Sequence, residues 1–204
     1  MMLSLPHMIQ LTEYAKSLRG GGLEVPDFDP LDGGVKARAL FLFEKPGPMV
    51  AAKGRGKRAG SGFISRDNDD QTAEAIFNFM RQAGLPRRQT ILWNVIPWWN
   101  GTRAVTRSEL NDGVAHMKKL INLLPNVRAV VLVGKKAGKA RLELETIGSL
   151  CLFNSSHPSP LVRARTPEKW KAILLDWQKV ANCLAGDNLE CSWTAATPAP
   201  SPPA

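Results

Sequence analysis

A single-domain, three-layer αβα fold around a central four-stranded parallel sheet is predicted by three features of this 204-residue chain. Four short apolar runs, rich in branched residues, recur along it. Helical patterns fill the gaps between them. Each run leads into polar residues or a rigid proline or glycine turn, which places those residues together at one edge of the sheet. Strands alternating with helices give a parallel sheet covered on both faces.

The runs are Ala39 to Phe43 (ALFLF), Thr90 to Val95 (TILWNV), Val127 to Val133 (VRAVVLV) and Leu150 to Phe153 (LCLF). Each is too short for a helix and apolar on both faces, the pattern of a buried parallel strand. Between the first and second, Asp70 caps a predicted helix with Ala73, Ile76, Phe77 and Met80 on one face, stopped by Gly84. Thr106 and Glu109 form a capping box ahead of Leu110, Val114, Met117, Leu120 and Ile121. A shorter, more polar helix is expected from about Lys135 to Thr146. Thr166 and Pro167 open a last helix with the stripe Trp170, Ile173, Leu174, Trp177, Val180 and Leu184. An N-terminal helix is expected around Met8 to Leu18. The glycine-rich, basic segment Ala51 to Gly62 reads as a loop. Residues 186–204, ending in TPAPSPPA, read as a disordered tail after a domain spanning 1–185.

Composition narrows the function. Lys and Arg number 27 against 18 Asp and Glu, giving a net charge of +9 and a pI near 9.8. That excess suits a polyanion such as nucleic acid, whose phosphates dominate non-specific affinity. The three cysteines, Cys151, Cys183 and Cys191, have neither CxxC spacing nor neighbouring histidines. This argues for a reducing compartment and against a structural metal or cluster, so neither metal nor cofactor is expected. The opening residues MMLSLPHMIQ lack a basic region followed by an apolar run. No stretch has the length of a membrane span. The expectation is a cytoplasmic monomer, associated with the nucleoid only through DNA, without membrane contact.

In an open parallel sheet, ligands bind beyond the carboxyl ends of the strands. There the sequence places FEKPGP (Phe43 to Pro48), Asn94 followed by IPWWNGTR, Gly134, and SSHPSP (Ser155 to Pro160). These segments, in this order, resemble the uracil-DNA glycosylase superfamily over roughly Ala39 to Leu184. HPSP with the following Leu161 matches the main branch, and FEKPG looks like the GEAPG motif of the thermophilic iron–sulfur branch. The resemblance implies a monofunctional glycosylase that flips uracil out of DNA, hydrolyses its bond to the sugar and so begins base excision repair. Such an enzyme must extrude its base to reach it.

The resemblance gives His157 the role of donating a hydrogen bond to uracil O2 as negative charge grows there; a capping or core histidine is the alternative. Asn94 offers one donor and one acceptor, matching uracil O4 and N3–H, whereas cytosine presents the reverse; the alternative is an asparagine that satisfies local backbone. Phe63 in GSGFIS matches a base-stacking phenylalanine, or is an ordinary core residue. Lys45 stands where the main branch carries its water-activating aspartate, and a cation cannot take that role. Glu44 is one water candidate. Asp67, with Asn68, is the other, lying one residue further from Phe63 than another branch's catalytic aspartate. Lys45, Pro46 and Gly47 are expected to line the base pocket, with Gly47 in place of a tyrosine that rejects thymine's methyl. Ser156, Pro158, Ser159, Leu161, Arg163 and Arg165 are expected to meet DNA, with Leu161 as a wedge from a rigid loop; its alternative place is against the last helix beside Trp170.

The iron–sulfur branch's cysteines are missing, for Ile96 and Pro97 follow the strand-ending asparagine and no N-terminal cysteine is present. GKKAGKA (Gly134 to Ala140) is one residue short of a phosphate-binding loop and ends in Ala140 instead of Ser or Thr. The glycine-rich Gly54 to Gly60 lacks an adjoining strand and helix. Trp98 and Trp99 suit either the pocket rim or the core. Two further readings stand beside the glycosylase: a non-catalytic binder of abasic or damaged DNA, and a nucleotide-metabolising α/β enzyme. His157 and Asn94 together weigh against the first. The charge and Leu161 weigh against the second.

Overall fold

The computed structural model describes residues 2–20, 23–47, 60–147 and 150–186. In chain order the elements are α1 (Ile9–Ser17), β1 (Asp27–Phe28), β2 (Ala39–Phe43), β3 (Phe63–Ile64), α2 (Gln71–Gln82), β4 (Thr90–Asn94), α3 (Arg107–Asn122), β5 (Ala129–Val133), α4 (Arg141–Glu145), β6 (Cys151–Ser155), α5 (Pro160–Arg165) and α6 (Pro167–Ala185). Most of the Ala51 to Gly62 segment and of the C-terminal tail lies outside the described residues.

The central sheet has the order β4-β2-β5-β6, all parallel. Side chains alternate across it. Leu40, Leu42, Ile91, Trp93, Val130 and Leu132 face the layer of α1 and α3, packing with Leu11, Met117 and Leu120. Phe41, Phe43, Leu92, Val131 and Val133 face α2 and α6, packing with Phe79, Met80, Ile173 and Trp177. These are the three layers that the sequence predicts.

Local signals set the helix starts. Asp70 accepts hydrogen bonds from Thr72 N and Ala73 N, and Thr106 with Glu109 closes the capping box of α3. After α2, Gly84 takes φ +71°, a conformation that glycine adopts without strain.

The structure corrects four local expectations. The fourth strand runs from Cys151 to Ser155, so it carries the chain two residues closer to His157 than a strand ending at Phe153. Phe77 is 43% exposed, and Phe79 fills the core in its place. Pro160–Arg165 is a helical turn, capped by Ser159, rather than a loop. A two-stranded parallel sheet pairs Asp27 with Phe63 and Phe28 with Ile64. It flanks β4 through Phe28, stacked on Trp93 with centroids 3.6 Å apart. Cys183 is a free thiol. Among the described residues no helix is long and apolar enough to cross a membrane.

Candidate active site

The parallel register brings the last residues of the strands into line. Phe43 pairs with Asn94, and Val133 pairs with Ser155. By alternation, Asn94 and Phe43 project to the face that α2 and α6 cover. Beyond this edge the chain is closely tied. Val95 N donates to Phe43 O at 2.8 Å, and Ile96 N to Glu44 O at 3.0 Å. Helix α3 presses on the same segment at Gly113, where a Cβ would stand 2.3 Å from Val95 O. Any larger residue there would push out the segment that follows Asn94.

His157 leaves β6 over the top of the sheet. The Trp177 indole N–H donates to Ser155 Oγ at 3.0 Å, which secures the strand end two residues before it. Its ring stands edge-on to Phe43, with centroids 5.8 Å apart. Gly134, at φ +92°, lies beneath it, and a Cβ at that position would be 3.3 Å from the His157 Cβ. Glycine therefore serves both a left-handed turn and a close approach. Burial lowers the His157 pKa from 6.5, while Glu44 and Asp70 pull it upward. The imidazole is accordingly neutral at pH 7, with one N–H to donate.

Asn94 is 4% exposed, and its Nδ2 is buried without a hydrogen-bond partner. Leaving such a group unmatched costs about 1–3 kcal/mol, and groups of this kind mark places where a ligand completes the bonding. Glu44, half-buried, accepts from Lys136 Nζ at 2.5 Å. Histidine, carboxamide and carboxylate thus come from three different strand ends.

Other expected residues lie elsewhere or are engaged. Lys45 is engaged by the segment that follows β4 and by the first turn of α3: its Nζ donates to Asn100 Oδ1 at 2.7 Å, Ala104 O at 3.2 Å and Glu109 Oε1 at 2.7 Å. An ammonium has three donors, and all are taken, so Lys45 is a buried tie between the ends of β2 and α3. Burial works against the Glu109 carboxylate, but bonds from Lys45 and Thr106 hold its pKa below the usual range.

Asp67 is ion-paired to Arg87 at 2.7 Å. Arg87 sits in the turn just before Thr90, at the opposite end of β4 from Asn94. Asp67 is thereby held at the end of β4 remote from Asn94. Asn68 Nδ2 donates to Phe63 O at 3.0 Å, closing the turn after β3. Phe63 itself is half-buried in the flanking sheet. Pro46 and Pro158 are buried, and Gly47 and Ser156 half-buried. A Cβ on Gly47 would meet nothing within 4 Å.

Ser159 caps α5, its hydroxyl accepting from Val162 N. Leu161 is 58% exposed on the first turn of that helix, so it is not tucked against Trp170. Arg163 lies over the Trp170 ring instead, at 5.7 Å from the centroid. Arg165 is exposed. Trp98 is buried in the core and Trp99 half-buried. Lys136, Asp70 as a neighbour of His157, and the Ser155–Trp177 bond were not foreseen. Only Asp70 had a local signal, its capping position.

Residues 32–180 match the Uracil DNA glycosylase superfamily, and the chain belongs to that superfamily. Membership points to DNA glycosylase chemistry, hydrolysis of the bond between a damaged base and its sugar. No curated protein matches the chain.

Proposed function

We propose that this protein is a uracil-DNA glycosylase, its catalytic domain spanning residues 1–185, that releases uracil from DNA and leaves an abasic site. The observation that carries this reading is the Asn94 carboxamide, buried at a strand end with an unpartnered Nδ2. A flipped uracil would accept at O4 from that nitrogen and donate N3–H to the amide oxygen. Cytosine, with an amino group at C4, would oppose donor to donor.

In the reaction the bond between N1 and C1′ breaks, and its electron pair stays on the base. His157, neutral and donating, stabilises the charge that collects on O2. Water adds its oxygen to C1′ and gives up a proton. Glu44 is the carboxylate that orients this water, with Lys136 holding it in place. Open space at Gly47 leaves rejection of thymine's methyl to other walls. Leu161, exposed at the head of α5 between Ser159 and the cations Arg163 and Arg165, enters the duplex as the base leaves.

The test is direct. Single-stranded and duplex oligonucleotides containing uracil are incubated with the protein and treated with alkali. Strand breaks at every uracil are expected, and a strong loss of them with Glu44→Gln. Intact strands with the wild-type protein would overturn the proposal in favour of a non-catalytic binder.

A further inference from the structure

A second place for a base lies next to α5. A groove of about 360 Å³ runs between α2 and the start of α6, with Pro160 at its rim. One wall is a stripe of α2, Gln71, Glu74, Asn78 and Gln82, spaced so that all four share a face. The other is the half-buried Trp170 indole under the Arg163 guanidinium, braced edge-on by Phe79 at 5.0 Å. Polar side chains of an amphipathic helix ordinarily point to open solvent. Here they face an aromatic surface across a space within the size range of small-ligand sites.

The groove has two kinds of lining, and both suit a nucleobase. A carboxamide presents a donor and an acceptor side by side, the pairing that reads adenine; a carboxylate accepts from the cytosine amino group. An indole face and a guanidinium plane are the surfaces on which unstacked bases stack. Arg163 and the exposed Arg165 and Lys169 add positive charge where a phosphate backbone would pass. The groove contains neither Asn94 nor His157, so it is separate from the site of cleavage.

We infer that this groove binds a second, unstacked base of single-stranded or locally opened DNA, one that is not excised. The inference rests on the reading that α5 meets DNA. It gives the enzyme a hold on a neighbouring nucleotide while Leu161 occupies the stack, and it favours bases that carry an exocyclic amino group.

The experiment uses DNA without uracil, so its outcome is independent of whether the protein excises that base. Affinity is measured for short single strands of deoxyadenosine or deoxycytidine, and for a strand of equal length and charge made of abasic spacers. The wild-type protein should bind the strands with bases about tenfold more tightly, as expected for one stacked base. The double substitution Gln71→Ala with Asn78→Ala removes one exposed and one half-buried carboxamide from the groove wall. It should lower that preference severalfold by removing the hydrogen bonds to the base edge, with the share from stacking on Trp170 retained, while leaving the melting temperature, the salt dependence and the affinity for the abasic strand unchanged. Equal wild-type affinity for all the strands would overturn the inference, as would a double variant that keeps the preference.

Discussion

The two ends of the central sheet handle polar groups in opposite ways. At the amino end Asp29, Asp32, Arg66 and Arg87 enclose Thr90. Arg66 donates to Thr90 Oγ1 at 2.7 Å and pairs with Asp32 at 3.2 Å, while Arg87 spans Asp29, Asp32 and Asp67. At the carboxyl end Asn94 and His157 are buried or nearly so, and among the described residues neither side chain has a hydrogen-bond partner. A dense ionic network ties these side chains to one another and holds the fold, although Asp32 Oδ2 and Arg66 Nε stay buried without a hydrogen-bond partner. The carboxyl-end groups are uncharged and without partners, and the proposed chemistry is assigned to them.

That contrast breaks if substitutions at the amino end alter chemistry, or those at the carboxyl end alter stability. The largest effect is expected at Arg66, only 4% exposed. Arg66→Met leaves Asp32 buried with reduced compensation and should cost about 3–5 kcal/mol in denaturant unfolding. Excision per folded molecule should stay the same. The same cluster sets a pH dependence. Burial pushes the Asp32 carboxyl from 3.8 up to about 7, against the pull of Arg66 and Arg87. Between those values the folded chain keeps a proton that the unfolded chain has released. Stability from this group is therefore full below pH 3.8 and is lost as pH rises through about 7. Asp32→Asn should flatten that decline, and an unchanged profile would remove Asp32 as its source. Asp67→Asn touches a pair open to solvent and should cost under about 1 kcal/mol with little change in excision.

His157→Ala tests the other end. Losing a donor to a developing negative charge should slow single-turnover excision by about 10²–10³-fold, with thermal stability and DNA affinity nearly unchanged. Asn94→Asp should be milder, about tenfold to a hundredfold slower on uracil, since it mismatches one buried bond. Full uracil activity in Asn94→Asp would assign base reading to another residue.

Much of this was legible in the sequence because its signals are local. Apolar runs, the Asp70 cap and the Thr106–Glu109 box each lie within a few residues, and the strand ends that they imply bring Asn94 and His157 to one edge. β1 and β3 have two residues each, too few for any periodicity. Ser159 followed by Pro160 is a helix-start signature in its own right; next to Pro158 it reads as a rigid turn. The tie made by Lys45 is not legible locally because its partners Asn100 and Glu109 are 55 and 64 residues away. The sequence shows a lysine in place of an aspartate but not the direction in which it points. The pairing of Asp67 with Arg87, 20 residues on, escaped for the same reason.

The smallest expected effect is also the most selective. Leu161 is 58% exposed, in a segment whose helix start is set by Ser159 and Pro160. Truncating it removes little buried surface, so Leu161→Ala should change stability by no more than about 0.5 kcal/mol. A packed leucine would instead lose about 2–5 kcal/mol. Its effect on excision should depend on the substrate. In a duplex the enzyme must unstack and unpair the target and fill the space left behind, whereas in a single strand that work is largely done already. Single-turnover excision from duplex DNA should therefore slow by about tenfold, with the single-stranded rate almost unchanged. Adding Gln71→Ala and Asn78→Ala to this variant sharpens the comparison, because the second-base groove acts on single strands while the wedge acts on duplexes. Equal slowing of both substrates by Leu161→Ala alone would take that residue out of DNA opening and leave the groove as the contact that α5 makes.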